Sequence, residues 1–199
     1  MDEELPSRDV APDALIPAPP PPLIEELPVY VAPPAPPPLV VTPPPPLAAR
    51  LLAGVESGIL GAAVMICWFA LDSLLERQYW WAMLNLWGAS VYHNRVFSMG
   101  FGVATLAGAS THFFLHGTAG VLWALVAGRM SNYWLHLTCS LLAAAVWYWL
   151  LMHAFWPAVA PVVSRIAPVP ATPLAYILFG AAISRSAHRA RELQAVWQT

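Results

Sequence analysis

The chain has 199 residues, is 58% hydrophobic and 10% charged, and has a mean hydropathy of +0.58 with ten Trp; so apolar a composition excludes an ordinary soluble domain. The formal charge of −2 conceals an asymmetry, because residues 1–49 carry Asp2, Glu3, Glu4, Asp9, Asp13, Glu25 and Glu26 against Arg8 alone, and every later basic residue is an Arg. Cys67 and Cys139 both lie in apolar runs without a CxxC pattern, which excludes a disulfide scaffold and a thiol oxidoreductase.

Residues 1–49 read as a tail and residues 50–199 as a transmembrane domain. Seventeen of the 22 prolines fall in residues 1–46, in near-repeats beginning at Pro17, Pro34 and Pro43. Proline fixes φ and removes the backbone donor, so this acidic, Pro-rich segment is expected to be disordered, an extended polyproline spacer available to a partner. Its acidic start, with no short apolar run after it, is unlike a secretory signal.

Beyond Arg50 the pattern changes to long apolar runs. Leu51 to Leu71 supplies about 21 residues, enough at ~1.5 Å each to cross a hydrocarbon core of ~30 Å. Further runs at 102–127, 133–156 and 172–188 give an expected all-α membrane protein, a four-transmembrane-helix bundle. The last apolar stretch is short and gains length by continuing into its Arg-rich end, where Arg185 and Arg189 can snorkel. Between the first two spans, residues 79–93 hold three Trp and two Tyr. Such aromatics prefer the headgroup level, so this segment is expected to be a short interfacial helix. Alternating spans place Arg50, Arg129, Arg185, Arg189 and Arg191 on one side and Arg77, Arg95 and Arg165 on the other. That split favours cytoplasmic termini in a bacterial inner membrane.

In the second span, steps of four residues give Gly100, Ala104, Gly108, His112, His116, Gly120, Ala124 and Gly128. Apart from the two histidines, every member is Gly or Ala. Small residues at this spacing let backbones approach, which is how helices associate where lipid supplies no hydrophobic drive between them. Gly54 and Gly58 form a matching pair in the first span, so packing of span one on span two through Gly54, Gly58, Gly108 and Gly120 is the first contact expected.

His112, His116 and His136 are the candidate cofactor ligands. A b-type haem needs histidines from two helices at one depth, but the nearest matches, His116 with His136 and His112 with His153, are offset by roughly 10 Å. His112 and His116 have the i, i+4 geometry of a metal box without the Glu of HExxH, so no metal site and no catalytic residue is assigned. Glu56 lies about 8 Å into the first span, close in depth to His136. The expected Glu56–His136 pair reads as a structural clamp ahead of an element of a proton path, because an ionisable group in a span needs a partner. No phosphate loop or basic aromatic surface points to nucleic acid.

The Ala/Gly-rich first helix, the Trp-containing connector, the Gly- and His-bearing second span and the short last helix together resemble small uncharacterised bacterial four-span integral membrane proteins over residues 50–190. The resemblance implies no activity, and the Pro-rich tail departs from it. The expected role is therefore non-catalytic, an accessory or scaffolding subunit whose partners are the bilayer and other subunits or further copies of itself. The alternative is a haem-binding or proton-handling protein.

Overall fold

The computed structural model describes residues 44–127, 130, 132–166 and 171–197. Residues 1–43 of the expected disordered tail, and Gly128 of the four-residue series, lie outside them. Every regular element among the described residues is a helix, and none is a strand.

Helix α1 spans Leu47–Leu75, 29 residues, and starts where the prolines stop. Pro46 occupies the N-cap, with ψ of 156°, and its carbonyl accepts the first helical bond from Arg50. Ala- and Leu-rich sequence without an internal proline then lets the helix run uninterrupted. Its end is built without glycine. Arg77 takes the left-handed φ of 57°, and the Gln78 N–H donates to the Ser73 carbonyl at 2.7 Å. This satisfies an orphan carbonyl as a glycine-based stop would, with the added cost of a Cβ in that conformation.

Two short helices follow, α2 (Ala82–Trp87) and α3 (Ala89–Tyr92), then a 3₁₀ turn over His93–Ser98 and α4 (Val103–Ala127). Helix α5 (Tyr133–Leu150) is capped by the Asn132 side chain, which accepts from the Leu135 N–H at 3.1 Å. It passes through a π-helical turn at Leu151–Phe155 into α6 (Trp156–Val159). Pro157 explains the turn: it has no N–H to return to the carbonyl four residues back, and its ring crowds that carbonyl. A short α7 (Pro161–Ile166) precedes α8 (Ala171–Ile183) and α9 (Ser186–Trp197). Only residues 184 and 185 separate the last two, and Ser184 and Arg189 keep helical bonds to Gly180 and Arg185. Among the described residues two stretches, Leu47–Leu75 and Tyr133–Val159, are long and apolar enough to cross a membrane.

Helix α1 is central, with α4 against one side and α8 and α9 against another; α5 packs on α8, and α2 packs on α4. The connector was expected to lie at an interface. Its two ends are open, at Tyr79, Trp80 and Val91, whereas Met83 to Trp87 are buried. Asn85 makes that burial feasible. Its amide donates to the carbonyls of Met99 (2.9 Å) and Gly100 (3.1 Å), and its oxygen accepts from the Thr105 hydroxyl at 2.5 Å. Irregular backbone before α4 is thus hydrogen-bonded by one side chain.

The core holds apolar side chains such as Met65, Phe69, Phe179 and Ile183 together with polar ones, and many large apolar side chains lie at the surface. Buried positions include Ser57, Thr105, His112, His116, His136 and Ser140, while Ile59, Phe114, Leu122, Val126, Leu142 and Val146 face outward.

Candidate functional site

The seam between α1 and α4 is built from backbone contacts. A Cβ on Gly54 would lie 2.8 Å from the Gly120 carbonyl oxygen, and one on Gly58 would lie 2.6 Å from the His116 carbonyl oxygen. From the other side, a Cβ on Gly120 would strike the Gly54 carbonyl and the Gly58 backbone. Ala124 shares this face, its Cβ 2.9 Å from one on Gly54, but the start of the four-residue series has other neighbours. Gly108 faces the carbonyl of Leu84 in α2, not α1, and Gly100 has open space around it. Gly61 belongs to a second junction, where its Cβ would meet the Phe179 ring of α8 at 2.6 Å. The sequence spacing therefore marks one continuous stripe, but α4 uses it against two elements in succession.

His112 and His116 lie within this packing, each 2% exposed. The His112 Nε2–H donates to the Ala62 carbonyl of α1 at 3.1 Å. Its ring stacks on Trp87 with centroids 3.9 Å apart and planes 5° from parallel. The His116 Nδ1–H donates to the His112 carbonyl at 2.9 Å, one turn back on its own helix. That leaves the His116 Nε2 lone pair without a partner, beside the rings of Phe179 (4.9 Å) and Tyr176 (5.7 Å). A carbonyl can only accept, so both tautomers follow from the geometry.

Helix α5 brings His136 to α4, where its Nε2 accepts from the Trp123 indole N–H at 3.3 Å and its Nδ1 is unpartnered. The expected Glu56–His136 pair is not the one formed. Glu56 accepts from Arg189 Nε at 2.6 Å, and Arg189 Nη1 donates to Glu192 at 3.0 Å. The cause is helical continuation: α9 prolongs the last segment along α1 and delivers Arg189 to Glu56, while α5 sits on α8, away from that face. His188 joins the group through Glu192 at 3.0 Å. Arg189, through its hydrogen bond, holds the Glu192 carboxyl below the usual range, with His188 and Arg185 adding to the effect.

Sequence reasoning did not assign Trp87 or Asn85. Asn85 carries the usable signal, as the polar residue within the apolar run Met83–Trp87. Among the described residues no group of three His, Cys, Asp or Glu side chains is placed to hold a metal ion. No protein-family model, curated protein or solved structure matches the chain.

Proposed function

We propose that the chain is a multi-pass integral membrane protein with four spans, and that its role is non-catalytic, as an accessory or scaffolding subunit of a membrane complex. The observation carrying this reading is that hydroxyls and imidazoles are buried within the core while large apolar side chains, among them Ile59, Phe114, Leu122, Val126, Leu142 and Val146, face outward. In water that distribution exposes apolar area at every turn; in hydrocarbon it satisfies polar groups internally and leaves lipid to solvate the rest. The four spans are α1, α4, the α5–α6 stretch and residues 172–188, which run from α8 into the start of α9. Tyr79 and Trp80 stand at the outer headgroup level, both termini are cytoplasmic, and the membrane is the bacterial inner membrane. Co-purification from gently solubilised membranes tests the scaffolding role: stoichiometric partner subunits or a homo-oligomer are expected, and a monodisperse monomer without partners refutes it.

A second reading, haem binding or proton handling, draws on the unpartnered His116 Nε2 and His136 Nδ1. An absorbance spectrum of the purified protein separates the two, since bound haem gives an intense Soret band and the scaffolding reading expects none.

A further inference from the structure

At the C-terminal end of α1 the structure forms a cavity of about 550 Å³, with Asp72, Ser73 and Glu76 on one side and Met83, Leu86 and Phe97 among the residues on another. We propose that this cavity binds an amphiphile bearing a primary ammonium group, with the ammonium at the carboxylates and the hydrocarbon on the apolar wall. The proposal goes beyond the scaffolding role and does not depend on it.

Asp72 and Glu76 are four residues apart, so both carboxylates stand on one face, and Ser73 sits between them in sequence. Like charges at this spacing repel. They also stand at the helix end where the peptide dipoles already place negative charge. Neither is ion-paired among the described residues, although Arg77 is next in the chain. The independent observation is Ser73. It is 7% exposed, it lines the cavity, and its hydroxyl makes no hydrogen bond to any described residue. Most serines on these helices do otherwise: Ser57, Ser140 and Ser184 each donate to a carbonyl three residues back. The Ser73 hydroxyl is thus free to bond whatever occupies the cavity. A primary ammonium meets all three conditions. It has three N–H donors for two carboxylates and one hydroxyl, and it carries positive charge, which the last turn of α1 does not. The apolar wall then selects a ligand with a hydrocarbon body over a bare cation or polyamine.

Such a group occurs in a free alkylamine and in an ethanolamine phospholipid headgroup. The experiment is calorimetric titration of the full chain in neutral detergent with octylammonium, octanol and octyltrimethylammonium. Octylammonium is expected to bind about tenfold more tightly than octanol, and to weaken as salt is raised from about 0.1 to 1 M, because charges near the surface are screened. Asp72→Asn/Glu76→Gln should lower octylammonium affinity about tenfold and leave octanol unchanged. Ser73→Ala should weaken octylammonium and leave the trimethylated compound, which has no N–H, unaffected. Equal binding of octylammonium and octanol by the unmodified chain, or an unchanged affinity in the double variant, overturns the proposal. The comparison on the unmodified chain stands even if a variant fails to fold. Reconstitution in nanodiscs of equal phosphatidylethanolamine, phosphatidylcholine and phosphatidylglycerol, followed by native mass spectrometry, identifies the source. Selective retention of the ethanolamine lipid assigns the headgroup, and equal retention alongside octylammonium binding assigns a free amine.

Discussion

A methyl group at Gly120 would meet the carbonyl of Gly54 and the backbone of Gly58, and one at Gly108 would meet the carbonyl of Leu84. Backbone cannot rotate aside as a side chain can, so Gly120→Leu and Gly108→Leu should each cost at least the ~1 to 3 kcal/mol typical of overpacking. His112→Gln and His116→Gln are expected to cost less, since interhelical hydrogen bonds in membranes average about 0.6 kcal/mol and His116 bonds only to its own helix. Side-by-side melting in detergent checks the ranking, and a larger loss in the glutamine variants would refute a packing role for the histidines. Asn85 is the residue whose loss should be most severe for its size. Asn85→Leu removes the partner of two carbonyls and of the Thr105 hydroxyl at once, and a buried polar group left unpaired costs about 1–3 kcal/mol. Melting of Asn85→Leu close to that of the unmodified chain would show that those groups find other partners.

Among the helices, α9 packs on α1 with the small residues Ala187 and Ala190 buried and with partly exposed charges beside them. The Arg189–Glu56 contact is short, but its side chains are 46% and 39% exposed, and solvent screening leaves pairs of this kind with little net stabilisation. Arg189→Ala should therefore speed hydrogen exchange in α9 and leave α4 and α5 unchanged; equal acceleration throughout would mean that the pair supports the whole bundle. The pH dependence has a definite sign. Glu192 is held below its usual value by Arg189, so its contribution is present above the ordinary carboxylate pKa of about 4.3 and is lost as pH falls through the lowered value. Protection of α9 amides should follow that course, and Glu192→Gln should remove Glu192's share. Protection that rose on acidification would contradict the assignment.

For the whole molecule the testable quantities are topology and the independence of the tail. A reporter active only in the periplasm should be silent when fused after Thr199, and activity there would refute cytoplasmic termini. The arginine margin is narrow, so two arginines inserted after Leu74 should weaken or invert the orientation. Deleting residues 1–46 should leave membrane yield unchanged, because α1 begins at Leu47 with its own apolar length; loss of folded protein would show that the tail takes part in folding.

Properties that depend on one segment at a time were legible in the sequence. Helix α1 begins where the prolines end, because proline cannot donate a helical bond. The stripe on α4 is evident from its four-residue period, since only Gly and Ala let two backbones touch. What the tertiary structure decided is which surface meets which. Gly108 and Gly120 belong to one stripe, yet the first meets the buried connector and the second meets α1, because α2 folds back along α4 and covers its first turns. Depth along the span pointed Glu56 toward His136, but lateral position gave it Arg189, since depth is set by chain length and neighbourhood by the order in which helices pack. The free hydroxyl of Ser73 has no trace in the sequence, because whether a serine bonds its own helix or faces a cavity depends on what stands opposite it.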